Sequence, residues 1–247
     1  MKMSKTFKKF AAMVMAFAML LGIPGAGITA KADNSPVNMY YIDIISERYG
    51  STTYTVYIQI DANSAYKKEV FVHYNAGSGE WKDQQAGFVT KTDYDTKEIW
   101  AATVTTSDPN AEYTIKYVGD GNVYWDNNNG NNYNKTDILG IANVAAIRPY
   151  RQEPYNYKIT AAVKNIGFAK EVKVKYTTNN WASYQWADLS YDESVEGTNY
   201  EYWSTTLNLN ESDMSGFQFC VSYTVNGETY WDSNFGRNFN STFYRPI

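Results

Sequence analysis

Two ten-residue stretches of this 247-residue chain nearly repeat one another: Tyr124-Trp125-Asp126-Asn127-Asn128-Asn129-Gly130-Asn131-Asn132-Tyr133 and Tyr230-Trp231-Asp232-Ser233-Asn234-Phe235-Gly236-Arg237-Asn238-Phe239. Each sets two adjacent aromatic rings beside an aspartate and an amide-rich loop. This equipment grips rather than reacts: a flat ring flanked by donors and acceptors suits a ligand with an apolar face and a hydroxyl rim. Trp125 and Trp231 adjoin Asn/Gly loops, and Trp81 and Trp181 also stand beside Gly- or Asn-containing loops, which seldom hold large rings without a reason. These four are read as ligand contacts, with Asp126, Asn128, Asp232 and Asn234 as their polar neighbours. For the two aspartates, fixing the loop by hydrogen bonds is an equally good reading.

The same residues argue against bond-making chemistry. His73 is the sole histidine and falls on the polar row of an alternating segment, at the position Lys175 takes further along. No Ser/His/Asp or Cys/His set assembles around it. The acid pairs Asp93/Asp95 and Asp192/Glu193 sit in loop-like sequence and read as solvated charges, not as the cleft carboxylates of a glycosidase. The Asn cluster also fails as a calcium loop: counted from Asp126, an EF-hand wants Asp or Asn where Gly130 stands and Gly where Asn131 stands. Neither catalysis, nor a metal, nor another cofactor is expected.

Further landmarks recur: Tyr74 with Tyr176, Trp81 with Trp181, Trp100 with Trp203 and Tyr117 with Tyr223, at separations of 102, 100, 103 and 106 residues. A period near one hundred residues is too long for a solenoid unit and suits two small domains, each with its own core. Strict alternation marks strands: Val172, Val174 and Tyr176 in one segment, Phe217 to Val225 by odd positions in another, and Val70, Val72, Tyr74, Tyr113, Ile115 and Tyr117 earlier. Trp100 and Trp203 lie in such strands and are assigned to the cores. Many short strands separated by turns predict an all-β chain of two tandem immunoglobulin-like antiparallel β-sandwiches, at about 36–137 and 143–247, joined by the short segment Ile138 to Asn143.

The first 32 residues read as a cleaved signal peptide: Lys2, Lys5, Lys8 and Lys9, an apolar run from Phe10 to about Ile23, then Ala30-Lys31-Ala32. The run is shorter than the roughly 20 residues that span a bilayer. Removing it leaves 17 basic against 26 acidic residues, a formal charge of −9. That field has the wrong sign for a phosphate backbone, so nucleic acid is not expected as a partner, nor a membrane for the mature form. Cys220 alone forms no internal disulfide. Aromatics make up 17% of the chain, more than two such cores need, so a surplus must lie at the surface.

Copy two resembles the starch-binding domains of carbohydrate-binding module family 21 through Val163-Lys164-Asn165-Ile166-Gly167-Phe168-Ala169-Lys170, Asn180-Trp181, Asn199-Tyr200-Glu201-Tyr202-Trp203 and Tyr230-Trp231-Asp232. Copy one is similar more loosely, through Ala65-Tyr66-Lys67-Lys68, Trp81, Trp100 and Tyr124 to Tyr133. The resemblance implies a sandwich without catalysis that holds α-glucan at two surface sites. One would use Trp181, the position of Cys220, and Trp231; the other Phe168, Tyr191 and Tyr200. Copy one would offer Trp81 and Trp125 for the first site and Tyr66 for the second, its later Tyr pair lacking a match. Cys220 and its counterpart Thr114 depart from the family's aromatic. The expected partners are starch, glycogen and maltooligosaccharides, together with separate amylolytic enzymes acting on the same polymer, in an extracellular setting. The alternative is a secreted β-sandwich adhesion or protein-interaction module. A phosphatase-targeting role is not expected, because the leader directs the chain outward and no basic-Val-x-Phe motif occurs.

Overall fold

The computed structural model describes residues 35–75, 79–149 and 155–247. The leader lies outside the described residues, as do residues 76–78 of the loop before Trp81. The chain is all-β and its sheets are antiparallel. Its strands are β1 (Val37–Arg48), β2 (Ser51–Asp61), β3 (Lys68–Asn75), β4 (Trp81–Gln85), β5 (Gly87–Thr92), β6 (Lys97–Thr106), β7 (Glu112–Gly119), β8 (Asn122–Asp126) and β9 (Tyr133–Asn134). There follow β10 (Val144–Ile147), β11 (Asn156–Lys164), β12 (Lys170–Thr177), β13 (Gln185–Asp188), β14 (Ser190–Ser194), β15 (Tyr200–Asn208), β16 (Gln218–Val225), β17 (Glu228–Asp232) and β18 (Phe239–Asn240).

Up to Asn134 the strands form one sheet in the order β1-β2-β6-β5 and a second in the order β4-β3-β7-β8, with β9 also on β7. From Val144 the orders are β10-β11-β15-β14 and β13-β12-β16-β17, with β18 also on β16. The alternation that marks the strands decides which side chains meet between each pair of sheets. Val172, Val174, Phe219, Val221, Tyr223 and Val225 interlock with Tyr157, Ile159 and Val163; Val70, Val72, Ile115 and Tyr117 do so with Tyr54, Val56, Ile58 and Ile60. Each such side chain contributes about 1.5–3 kcal/mol by leaving water.

β10 reads Val144-Ala145-Ala146-Ile147 with no polar row, and its placement explains this. Val144 and Ala146 face the core of the second half, whereas Ala145 and Ile147, with Ala162, Tyr200 and Tyr202, pack into the hydrophobic cluster of the first. β10 is thus packed on apolar neighbours on both faces, as a continuous apolar strand requires. The join is not a free spacer. Ile42 donates to the Ile138 carbonyl, Ile141 to Met39, and Gly140 and Ala142 to Tyr40, so residues 138–142 lie along β1. A Cβ on Gly140 would stand 2.0 Å from the Met39 carbonyl oxygen, which only glycine avoids.

The chain end closes the same seam. Arg245 is buried between the halves, donating to the Tyr41 hydroxyl at 2.5 Å, to the Ala146 carbonyl at 2.6 Å and to Asp232 at 2.9 Å. Nearby, Arg148 donates to Asp43 at 2.6 Å and the Tyr57 hydroxyl to the Pro246 carbonyl at 2.9 Å.

Candidate functional site

The outer face of the β13-β12-β16-β17 sheet is built by register. Lys175 stands opposite Trp186 on one side and Cys220 on the other, and Ser222, one outward position further along β16, stands opposite Trp231. Trp186 on β13 and Trp231 on β17 lean toward each other, ring centroids 5.9 Å apart at 53°. Lys175 Nζ sits 3.9 Å above the Tyr184 ring, 5.7 Å from Trp186 and 5.9 Å from Trp181. Three aromatic rings therefore surround one ammonium, an arrangement held by cation–π attraction, and Trp231 joins them through Trp186. Trp181 is fixed from beneath: its Nε1 donates to Gln218 Oε1 at 2.9 Å and its backbone N to Thr177 Oγ1 at 3.0 Å. Cys220 lies buried, and burial pushes its thiol up to about 11, so it is a small neutral floor.

On the corresponding face of β4-β3-β7-β8, His73 replaces Lys175. It stands opposite Asp83 and Thr114, its ring stacked on Trp81 at 5.0 Å and edge-on to Trp125 at 5.3 Å. Its Nδ1 is 2.6 Å from Asp83 Oδ1, and Lys116 donates to Asp83 Oδ2 at 2.7 Å. Partial burial raises the Asp83 pKa, but the hydrogen bonds from Lys116 and His73 outweigh it and hold the carboxyl below its ordinary value. Asp83 and Trp186 are thus equivalent by register, which makes Tyr184, not Trp181, the counterpart of Trp81. The hundred-residue offset misaligned that pair because the loop before β13 differs in length.

Several residues expected at the ligand surface stand elsewhere. Asp126 is fully buried and accepts from the Met39 backbone N at 2.8 Å and from the Tyr133 hydroxyl at 2.9 Å. Asp232 accepts from the Ala146 backbone N at 2.7 Å and from Arg245. Both carboxylates pin the first strand of their half, which leaves no oxygen for a surface ligand. Asn128 and Asn234 close the loops: the Nδ2 of each donates to a carbonyl four residues on, at Asn132 and Asn238. Asn234 is itself buried. Tyr200, 4% exposed, donates to the Thr136 carbonyl at 3.0 Å and packs in the cluster of the first half, so it holds the seam and is not part of a platform.

A second pair of surfaces lies at the open edge of each sandwich. Tyr191 meets Trp203 edge-on at 5.9 Å, and Phe88 meets Trp100 in the same way at 5.8 Å. Both Phe88 and Tyr191 are 51% exposed. Trp100 and Trp203 pack against the cores, each donating its Nε1 to a glutamate, Glu98 at 3.0 Å and Glu201 at 3.1 Å. These glutamates pair with Lys68 and Lys170, whose preceding loops hold Tyr66 and Phe168 fully out in solvent. Phe88 thus stands against Trp100 as Tyr191 stands against Trp203, which supplies one member of the ring pair the first half is expected to lack. Its signal was available, since Phe88 and Tyr191 each precede their Trp by twelve residues. Tyr184 and Trp186 were also missed, though they alternate as strand residues do; His73 was placed on the surface without its two Trp neighbours, which only pairing register brings to it.

Residues 151–242 match the carbohydrate/starch-binding module (family 21). The second-half platform lies within the matched residues, as do Phe168, Tyr191 and the buried Tyr200, and Trp81, His73 and Trp125 lie outside them. Over 83 residues the chain is 34% identical to protein phosphatase 1 regulatory subunit 3C of Bos taurus, covering 32% of this chain and 26% of the relative. Over 117 residues it is 28% identical to glucoamylase 1 of Rhizopus oryzae, covering 44% of this chain and 19% of that one. The chain therefore spans about a quarter or less of the length of these relatives. The solved carbohydrate binding module of the muscle glycogen-targeting subunit of protein phosphatase-1 aligns at 22% identity and a TM-score of 0.33, over 43% of this chain and 76% of that one.

Proposed function

We propose that this is a secreted, non-catalytic α-glucan-binding protein that carries two tandem β-sandwich modules and grips starch or glycogen through aromatic platforms. The observation that carries the reading is the array of Trp186, Tyr184 and Trp181 around Lys175, extended by Trp231 against Trp186, on a segment matching a starch-binding family. Exposed rings stack on the C–H face of glucose, while Lys175 donates to hydroxyls at the rim. The identical strand orders of the two halves support a tandem arrangement, and Trp81, His73 and Trp125 supply a smaller platform in the first. With two weak sites held in fixed relation, apparent affinity for a polymer rises by roughly 10² or more over a single site. A basic, apolar leader supports export, where separate amylases would act on the captured polymer.

The test is co-sedimentation of the full-length protein with insoluble starch. The wild type should pellet, and a Trp186→Ala/Trp231→Ala double variant should remain in the supernatant. A wild type that stays soluble would remove the glucan reading and leave the protein-interaction module in its place. Release of reducing sugar from soluble starch would overturn the non-catalytic part.

A further inference from the structure

A cleft of about 320 Å³ opens between the two halves, beside the Trp231 platform. One wall comes from the second half, with Trp231, Ser233 and Phe235; the other comes from the first, with Tyr40 and the β5–β6 hairpin residues Lys91 and Asp93. Its floor is rigid. Tyr40 packs on Tyr41 at 5.1 Å and on Phe235 at 6.0 Å, and the buried Asp232–Arg245 pair lies directly beneath. Its rim is polar and varied, with an ammonium, a carboxylate and two hydroxyls. Burial, reinforced by the Asp232 and Asp93 carboxylates, pushes the Tyr40 hydroxyl up to about 12, so it remains a donor at any physiological pH. The hairpin tip is held in an uncommon shape: Asp93, Tyr94 and Asp95 have φ of 51°, 55° and 66°, a conformation that L residues enter at a cost of roughly 1–2 kcal/mol each. Strain of this kind persists where the surroundings enforce it and concentrates at binding sites.

We propose that this seam is a composite subsite in which a glucan strand lying on Trp231 continues between the halves and is held by Tyr40 and Lys91 of the first. The proposal rests on the α-glucan reading of the Trp231 platform. It assigns the first half a role besides a separate site of its own: it lengthens the site of the second, so the protein would prefer long chains to short ones. A ring at one end with donors and acceptors beyond it is the pattern that an extended hydroxylated ligand requires.

Calorimetric titration of the full-length protein with maltotriose and with maltoheptaose tests this. In wild type the longer sugar should bind more tightly. Tyr40→Phe, which keeps the packed ring, and Lys91→Ala, at an exposed strand position, should each weaken maltoheptaose by about 3- to 10-fold, the loss of one hydrogen bond, and leave maltotriose unchanged. Trp231→Ala should weaken both sugars. If neither sugar binds wild type, the α-glucan reading and the subsite fall together. If Trp231→Ala weakens both sugars but the two cleft variants match wild type at both lengths, the platform stands and the subsite alone is overturned. A loss equal for both lengths in the cleft variants also overturns it, since that pattern marks a general structural effect.

Discussion

Trp186 and Trp231 stand on strands at opposite margins of one sheet path, with β12 and β16 between them, yet their ring centroids lie 5.9 Å apart. Three strand spacings amount to roughly 14 Å, so the two indoles must reach inward over the middle strands to meet. That closure explains Cys220, which occupies β16 beneath the reaching rings. Each of these rings should contribute about 1 kcal/mol beyond simple burial. Trp186→Ala and Trp231→Ala are therefore each expected to weaken glycogen binding about 5- to 10-fold, while melting temperature changes little because both rings are partly exposed. Affinity electrophoresis and a thermal melt check the two halves of this expectation.

Cys220 is expected to resist alkylation. With its thiol pushed up to about 11 by burial and its side chain enclosed, iodoacetamide at pH 8 should leave the native protein unlabelled and modify it fully in denaturant. Rapid labelling of the folded protein, read by mass spectrometry, would show that the platform opens.

Arg245 and Asp232 form a buried ion pair that also carries backbone contacts to Ala146. Removing one partner leaves an uncompensated buried charge, a loss of about 3–5 kcal/mol. Arg245→Ala should lower the urea midpoint accordingly and loosen the seam. A surface control, Lys173→Ala, should leave it nearly unchanged.

Asp83 supplies an acid-dependent increment of stability. Its folded-state pKa lies below the unfolded value, so its contribution is present above about pH 4 and is lost as pH falls through the lower folded value. Asp83→Asn should lower melting temperature at pH 7 and narrow the gap between pH 7 and pH 3. An unchanged gap would show that the Lys116 and His73 bonds to Asp83 carry no net stability.

Much of the fold is legible in the residues because a strand's period of two needs only neighbours in sequence. Val172 and Val174, or Phe219, Val221 and Tyr223, must turn one way, and they do. Trp100 and Trp203 read correctly as core-packed for the same reason. Phe88 was legible too, because it precedes Trp100 by the same twelve residues that separate Tyr191 from Trp203. Tyr200 was not legible as a seam residue: within its own strand it alternates like a surface aromatic, and the apolar wall that buries it comes from elsewhere in the chain.

By itself, then, the sequence determined the strands, the repeated Tyr-Trp-Asp loops, the acidic surplus and the rings available for a ligand, all properties carried by residue type and short spacing. Tertiary structure decided which of those rings face a common surface. Pairing register brought Trp186 and Tyr184 to Lys175 and placed His73 between Trp81 and Trp125. It also drew Asp126 and Asp232 inward onto backbone amides more than eighty residues away. The physical reason is that burial and ring contact depend on partners distant in sequence, and no local pattern names the partner.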